Sequence, residues 1–138
     1  MKTLRFIFLF ALFLNGLSSL GQSEWQPVLI NYDGTNENEG VIGNYQLSTC
    51  DKEDVVIFKL ENTTSKKFKA QWYHLIQDKE GKDFKGAAML QTFILEPSKT
   101  NVGSCKDKTL TIKLNDFGIN KDQFGTFIAL AFNIQEVK

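Results

Sequence analysis

Two successive stretches alternate apolar and polar residues with a period of two, and nothing else in the chain constrains its fold as tightly. Residues 55–62 place Val56, Phe58 and Leu60 on one side and Val55, Ile57 and Lys59 on the other. Residues 68–77 place Phe68, Ala70, Trp72, His74 and Ile76 opposite Lys69, Gln71, Tyr73, Leu75 and Gln77. Side chains point to opposite faces at successive positions only in an extended strand. Asn62-Thr63-Thr64-Ser65 and residues 78–82, with Gly81, supply turn chemistry after each run.

The same period recurs. Residues 89–95 read as a strand ended by Pro97. Residues 109–114 alternate most cleanly, with Leu110, Ile112 and Leu114 expected inside and Thr111 and Lys113 outside. Residues 127–137 form a last strand, predicted to turn Ile128, Leu130, Phe132 and Ile134 to one apolar face. A strand over 25–32 is expected at an edge because Pro27 cannot donate to a ladder. Residues 41–47 form a short strand between polar loops, and residues 115–124 hold a short helix or a single turn. Short strands separated by turn signals predict one all-β domain, a single antiparallel sandwich of about six to eight strands.

Residues 1–21 are set apart from that domain. Lys2 and Arg5 precede the nine-residue apolar run 6–14, and Ser19 and Gly21 offer small side chains before Gln22. This is the layout of a cleaved secretory signal peptide, with the domain in 22–138 and a periplasmic or secreted destination. The apolar run is too short to span a bilayer, which takes about 20 apolar residues. The segment's Leu-Ser-Ser-Leu-Gly-Gln ending resembles signal peptides of Bacteroidota.

Charge narrows the partners. After residue 21 the chain carries 14 lysines, 16 acids and no arginine, a formal −2. Arginine is the usual side chain for bidentate phosphate recognition, so nucleic acid is not expected as a partner. The basic cluster Lys66-Lys67-Phe68-Lys69 would split its lysines between two strand faces, with Glu61 and Asp78 nearby to dilute it.

Cys50 and Cys105 are the two cysteines of the chain, and an even pair in an exported domain is expected to form a disulfide. One histidine and two cysteines without a paired short spacing make a poor metal set. Residues 33–40 are rich in oxygen donors that Ca²⁺ prefers. Thr35 and Glu37 break the spacing of an EF-hand loop, so a solvated loop is expected. His74 would need a nucleophile and a positioning acid to act as a base, and no nucleophile signature accompanies it. No catalytic residue, cofactor site or metal site is therefore expected, and the chain is read as no enzyme.

The run 56–64, a following strand, a glycine turn and then Leu95-Glu96-Pro97 resemble the immunoglobulin-like domains of exported bacterial proteins. In those, a strand ends in Asn-x-Thr/Ser and a Leu-x-Pro-Gly turn follows; here Ser98 stands at the glycine position. The resemblance implies a sandwich and not a function. Antibody-type features are missing: Trp72 follows Cys50 by 22 residues, and Gly103 stands where the corner tyrosine belongs.

The leading expectation is a non-catalytic binding or structural module whose partner is a cell-envelope protein, with no membrane span in the mature chain. Tyr73 and Leu75 form its surface if their face of the strand is open. The alternative is a small-ligand or carbohydrate binder that uses Trp25, Tyr32, Tyr45, Trp72 and Tyr73 as a stacking surface. Partner identity and oligomeric state are not encoded in any motif.

Overall fold

The structure is a computed structural model that describes residues 24–31, 33–86 and 89–138. The expected signal peptide, 1–21, and Tyr32 lie outside the described residues. Ten strand segments follow in chain order: β1 (Gln26–Pro27), β2 (Glu37–Asn38), β3 (Val41–Cys50), β4 (Glu53–Asn62), β5 (Phe68–Asp78), β6 (Asp83–Phe84), β7 (Leu90–Leu95), β8 (Thr100–Val102), β9 (Thr111–Lys113) and β10 (Phe124–Glu136). The count exceeds the expected six to eight because three segments are only two residues long. Among the described residues, a 3-10 turn, Leu114–Phe117, stands where the sequence predicts a short helix or turn.

The segments form two antiparallel sheets. Sheet A runs β1-β3-β4-β8, with β2 also on β3 and β9 also on β4. Sheet B runs β10-β5-β6, with β7 also on β5. The chain changes sheets between β4 and β5, between β7 and β8, and between β9 and β10. This is an all-β, two-sheet sandwich, as the alternating runs predict.

Its core is filled from both inner faces. Val56, Phe58 and Leu60 of sheet A meet Phe68, Ala70, Trp72 and Ile76 of sheet B, as the period of β4 and β5 requires. Leu110, Ile112 and Leu114 join them. Thr111, expected outside, is also buried, and its hydroxyl donates to the Ser104 carbonyl at 2.6 Å.

The strand β3 is longer than expected because it pairs with β4 along ten residues, from Val41↔Asn62 to Cys50↔Glu53. Asp51 and Lys52 close this hairpin with φ of 50° and 68°. Two left-handed residues match the twist of a hairpin, though Asn-Gly is the usual sequence for it. The outer face of β4 is not open either. Val55 and Ile57 pack with Cys50 in a second small cluster, and Trp25 leans on it under the Lys59 ammonium, 4.3 Å from the ring centroid.

The prediction for β10 needs correction. Phe127, Ala129 and Phe132 face the core, whereas Ile128 and Leu130 face outward. An extra residue lies between the pairs Leu130↔Tyr73 and Asn133↔Gln71, and Ala131 takes it up at φ 53°. A bulge of one residue reverses the alternation on its two sides.

The disulfide is present. Cys50 and Cys105 are bonded with their Cα atoms 5.5 Å apart, tying the end of β3 to the loop between β8 and β9.

Candidate functional site

The outer face of sheet B carries the residues singled out as a surface, and its composition follows from register. Leu29 forms a parallel bridge with Ile128, and Ile128 stands opposite Leu75. One step along the sheet, Leu130 stands opposite Tyr73 and Tyr73 opposite Leu90. Two adjacent apolar rows thus cross the sheet on its outer side. The next row, Asn133, Gln71 and Thr92, is polar, and the one after it runs from Gln135 and Lys69 to the exposed Ile94. Gln71 donates to the Thr92 hydroxyl at 3.3 Å and holds that boundary.

Leu29, Tyr73, Leu90 and Leu130 are each more than a third exposed, so the second row is open to solvent along its length and the first is open at Leu29. Leu75 departs from expectation. It lies on the same face as Tyr73 but is only 5% exposed, so it is covered there and offers little surface. Sequence alternation sorts residues to a face but does not reveal which positions of that face neighbouring segments cover. Leu29, Leu90 and Leu130 were not singled out from the sequence. Only the pairing of β7 and β10 with β5, and of the Leu29 segment with β10, brings them to Tyr73.

Beside the first row the N-terminal segment leaves β10. Leu29 accepts from the Ala129 amide at 3.3 Å, after which the chain turns away through Asn31 and Gly34. The fork leaves a shallow, mostly apolar groove of about 220 Å³ between Leu29–Asn31 and the bulged segment around Ala131. A second concavity, about 620 Å³, lies against the disulfide and is lined by Lys106, Lys108 and Lys113 together with Asp107 and Asp116. Its charges are of both signs, and Lys113 is already paired with Glu53.

The aromatic residues do not gather into a stacking surface. Tyr45 and Trp72 are buried in the core, Trp25 sits on the outer face of sheet A, and Tyr73 is on the outer face of sheet B. The basic cluster is spent locally, since Lys66 pairs with Glu136 at 3.0 Å and Lys67 with Glu96 at 2.8 Å.

His74 faces inward, between the Trp72 and Phe127 rings at centroid distances of 6.1 and 5.5 Å. Burial pushes its pKa down to about 4, and a backbone hydrogen bond at Thr109 opposes the shift without cancelling it. Its Nε2 has no partner in the structure.

In the loop 33–40, Asp33 Oδ1 accepts from the Thr35 hydroxyl at 2.7 Å and the Thr35 amide at 2.9 Å. These bonds hold its carboxyl below the ordinary value. The donors are turned to the loop's own closure. Among the described residues, no three of His, Cys, Asp and Glu converge as metal ligands would.

Asn62 is a buried polar residue at the end of β4. It is 1% exposed, and its amide donates to the carbonyls of Lys66 (2.7 Å) and Glu96 (3.1 Å). Its Oδ1 accepts from the Thr64 amide and hydroxyl. The Asn-x-Thr motif therefore ties the β4–β5 turn to the end of β7. Ser98, where the resembling domains carry glycine, takes φ 54° and donates its amide to Thr64.

No protein-family model, curated protein or solved structure matches this chain. No helix among the described residues is long and apolar enough to cross a membrane.

Proposed function

We propose that this protein is an exported, non-catalytic module with an immunoglobulin-like sandwich, which binds another protein of the cell envelope through the outer face of sheet B. The observation that carries the reading is the exposed apolar row Leu130–Tyr73–Leu90 with Leu29 exposed beside it. Solvent-facing sheet faces are ordinarily polar, and contiguous exposed apolar side chains mark interaction surfaces. Tyr73 lies at the centre of the second row, flanked by leucines and rimmed by Gln71, Thr92 and Asn133. An aromatic anchor inside an apolar patch with a polar rim is the composition of a protein interface. The disulfide is compatible with an oxidising, extracytoplasmic compartment, where such bonds persist.

Crosslinking of the exported protein in its own cell envelope, read by mass spectrometry, tests the reading. One dominant protein attached through the outer face of sheet B is expected, and Tyr73→Lys or Leu130→Lys abolishes its capture while the fold survives. Capture unchanged in both variants, or a glycan recovered in place of a protein, overturns it.

A further inference from the structure

Every sheet edge among the described residues is guarded except one. In sheet A, β1 ends in Pro27, β2 is two residues long and carries Glu37, β8 is three residues long, and β9 carries the Lys113–Glu53 ion pair. In sheet B, β6 is a two-residue strand with Asp83, and the far side of β10 is partly covered at Leu29 and distorted at Ala131. Short length, proline, charge, cover and bulges are the ordinary devices that stop an edge from pairing with another chain. The strand β7 has none of them. It is six residues long, Leu-Gln-Thr-Phe-Ile-Leu, without charge, proline or bulge. It pairs with β5 on one side, and no described strand pairs with it on the other.

We propose that the free edge of β7 pairs antiparallel with β7 of a second copy, joining two B sheets into one across a two-fold axis at Thr92. An unpaired edge presents backbone N–H and C=O groups that an extended strand satisfies. The choice of a second copy follows from the sequence of the strand. A two-fold axis perpendicular to the sheet keeps outer faces together, so only residues of equal parity meet. Centred on Thr92, that pairing sets Leu90 against Ile94 twice and Thr92 against itself. Leu90, Thr92 and Ile94 are the exposed positions of β7, with Leu90 48% and Ile94 43% exposed. Apolar pairs and Thr–Thr pairs favour antiparallel neighbours, whereas like charges directly opposite disfavour them. A self-paired strand meets its own charge at the axis, and β7 has none. The contact is isologous and closes at two copies.

The pairing lengthens the apolar row through Leu130, Tyr73 and Leu90 up to the axis. It does not rest on the proposed envelope partner, because its test needs the purified protein alone. Light-scattering mass across a concentration series is expected to rise to twice the chain mass. Thr92→Lys, at an exposed position, sets two ammonium groups face to face and returns the mass to that of one chain, with the melting temperature equal to that of the native protein at concentrations where it is a single chain. Thr92→Cys is expected to form a covalent dimer on mild oxidation, and Lys79→Cys, in the exposed turn after β5, is not. A single-chain mass at every concentration overturns the proposal. A double mass that survives Thr92→Lys, or equal crosslinking at positions 92 and 79, also overturns it. Loss of envelope-partner capture with the double mass intact would count against the proposed function alone.

Discussion

The Trp72 indole meets the Phe58 ring edge-on across the sandwich, with centroids 5.4 Å apart and planes at 86°. Both side chains are fully buried, one from each sheet. Phe127 stands edge-on to the same Phe58 ring at 5.2 Å, so Phe58 is held between two rings of sheet B. This cluster is where the two sheets are joined most closely by aromatic packing. Phe58→Ala is expected to cost about 3–5 kcal/mol, because the lost transfer energy adds to a cavity that rigid neighbours cannot fill. Urea unfolding followed by Trp72 fluorescence measures it. A loss below about 1 kcal/mol, the size of a surface change, would contradict the packing.

The disulfide closes a loop of 55 residues between the end of β3 and the β8–β9 loop. Loop-closure entropy gives roughly 4 kcal/mol for such a span. The double variant Cys50→Ala/Cys105→Ala is expected to lose about 2–5 kcal/mol in urea unfolding. Reducing agent should lower the stability of the native protein by a similar amount and leave that variant unaffected.

His74 sets a pH dependence whose sign is fixed. Its folded pKa, about 4, lies below the ordinary value of 6.5, so the unfolded chain binds the proton first. The stability that the neutral imidazole contributes is complete above pH 6.5 and is lost as pH falls toward 4. The loss approaches about 3 kcal/mol, since each tenfold difference in proton affinity between the folded and unfolded chain is worth about 1.4 kcal/mol. Unfolding of the native protein and of His74→Gln, compared from about pH 7 to about pH 4, should show a shallower decline in the variant. Parallel declines would place the acid sensitivity elsewhere.

Asn62 satisfies the carbonyls of two segments that are about 30 residues apart, at Lys66 and Glu96. Asn62→Ala leaves these groups and the Thr64 amide without their partner in a buried place. The expected cost is about 1–3 kcal/mol. Amide hydrogen exchange should quicken at Thr64 and Ser98, whose amides close this corner. Unchanged protection at both would show that the corner holds without the asparagine.

Gly125 lies at the first irregularity of β10, where a Cβ would come within 2.3 Å of the Asp78 carbonyl oxygen. The obstacle is backbone, which cannot swing aside. Gly125→Ala is expected to destabilise by about 1–3 kcal/mol, the range for overpacking, as read from thermal unfolding. An unchanged melting temperature would mean that β10 can shift on β5.

Local alternation was enough to define the strands β4, β5, β7 and β9, and the inward set Val56, Phe58, Leu60, Trp72, Leu110 and Ile112. Alternation is a property of neighbouring residues, and in the inward sets of these strands no bulge reverses it. Pairing of the two cysteines was legible from their even number. The remaining features came from packing between distant segments. The bulge at Ala131 reversed one strand because an ordinary alanine in a left-handed conformation leaves no mark in a sequence. Asp51 and Lys52 made a tight hairpin without the residues that advertise one, since ten paired residues on either side enforce it. Val55, Ile57 and Leu75 were buried on outer faces, and whether an outer face is covered depends on segments far away in the chain. The candidate surface was legible only at Tyr73. Leu29, Leu90 and Leu130 reached it through register with β5 and β10, and register between distant strands is settled by how the whole sheet packs on the core.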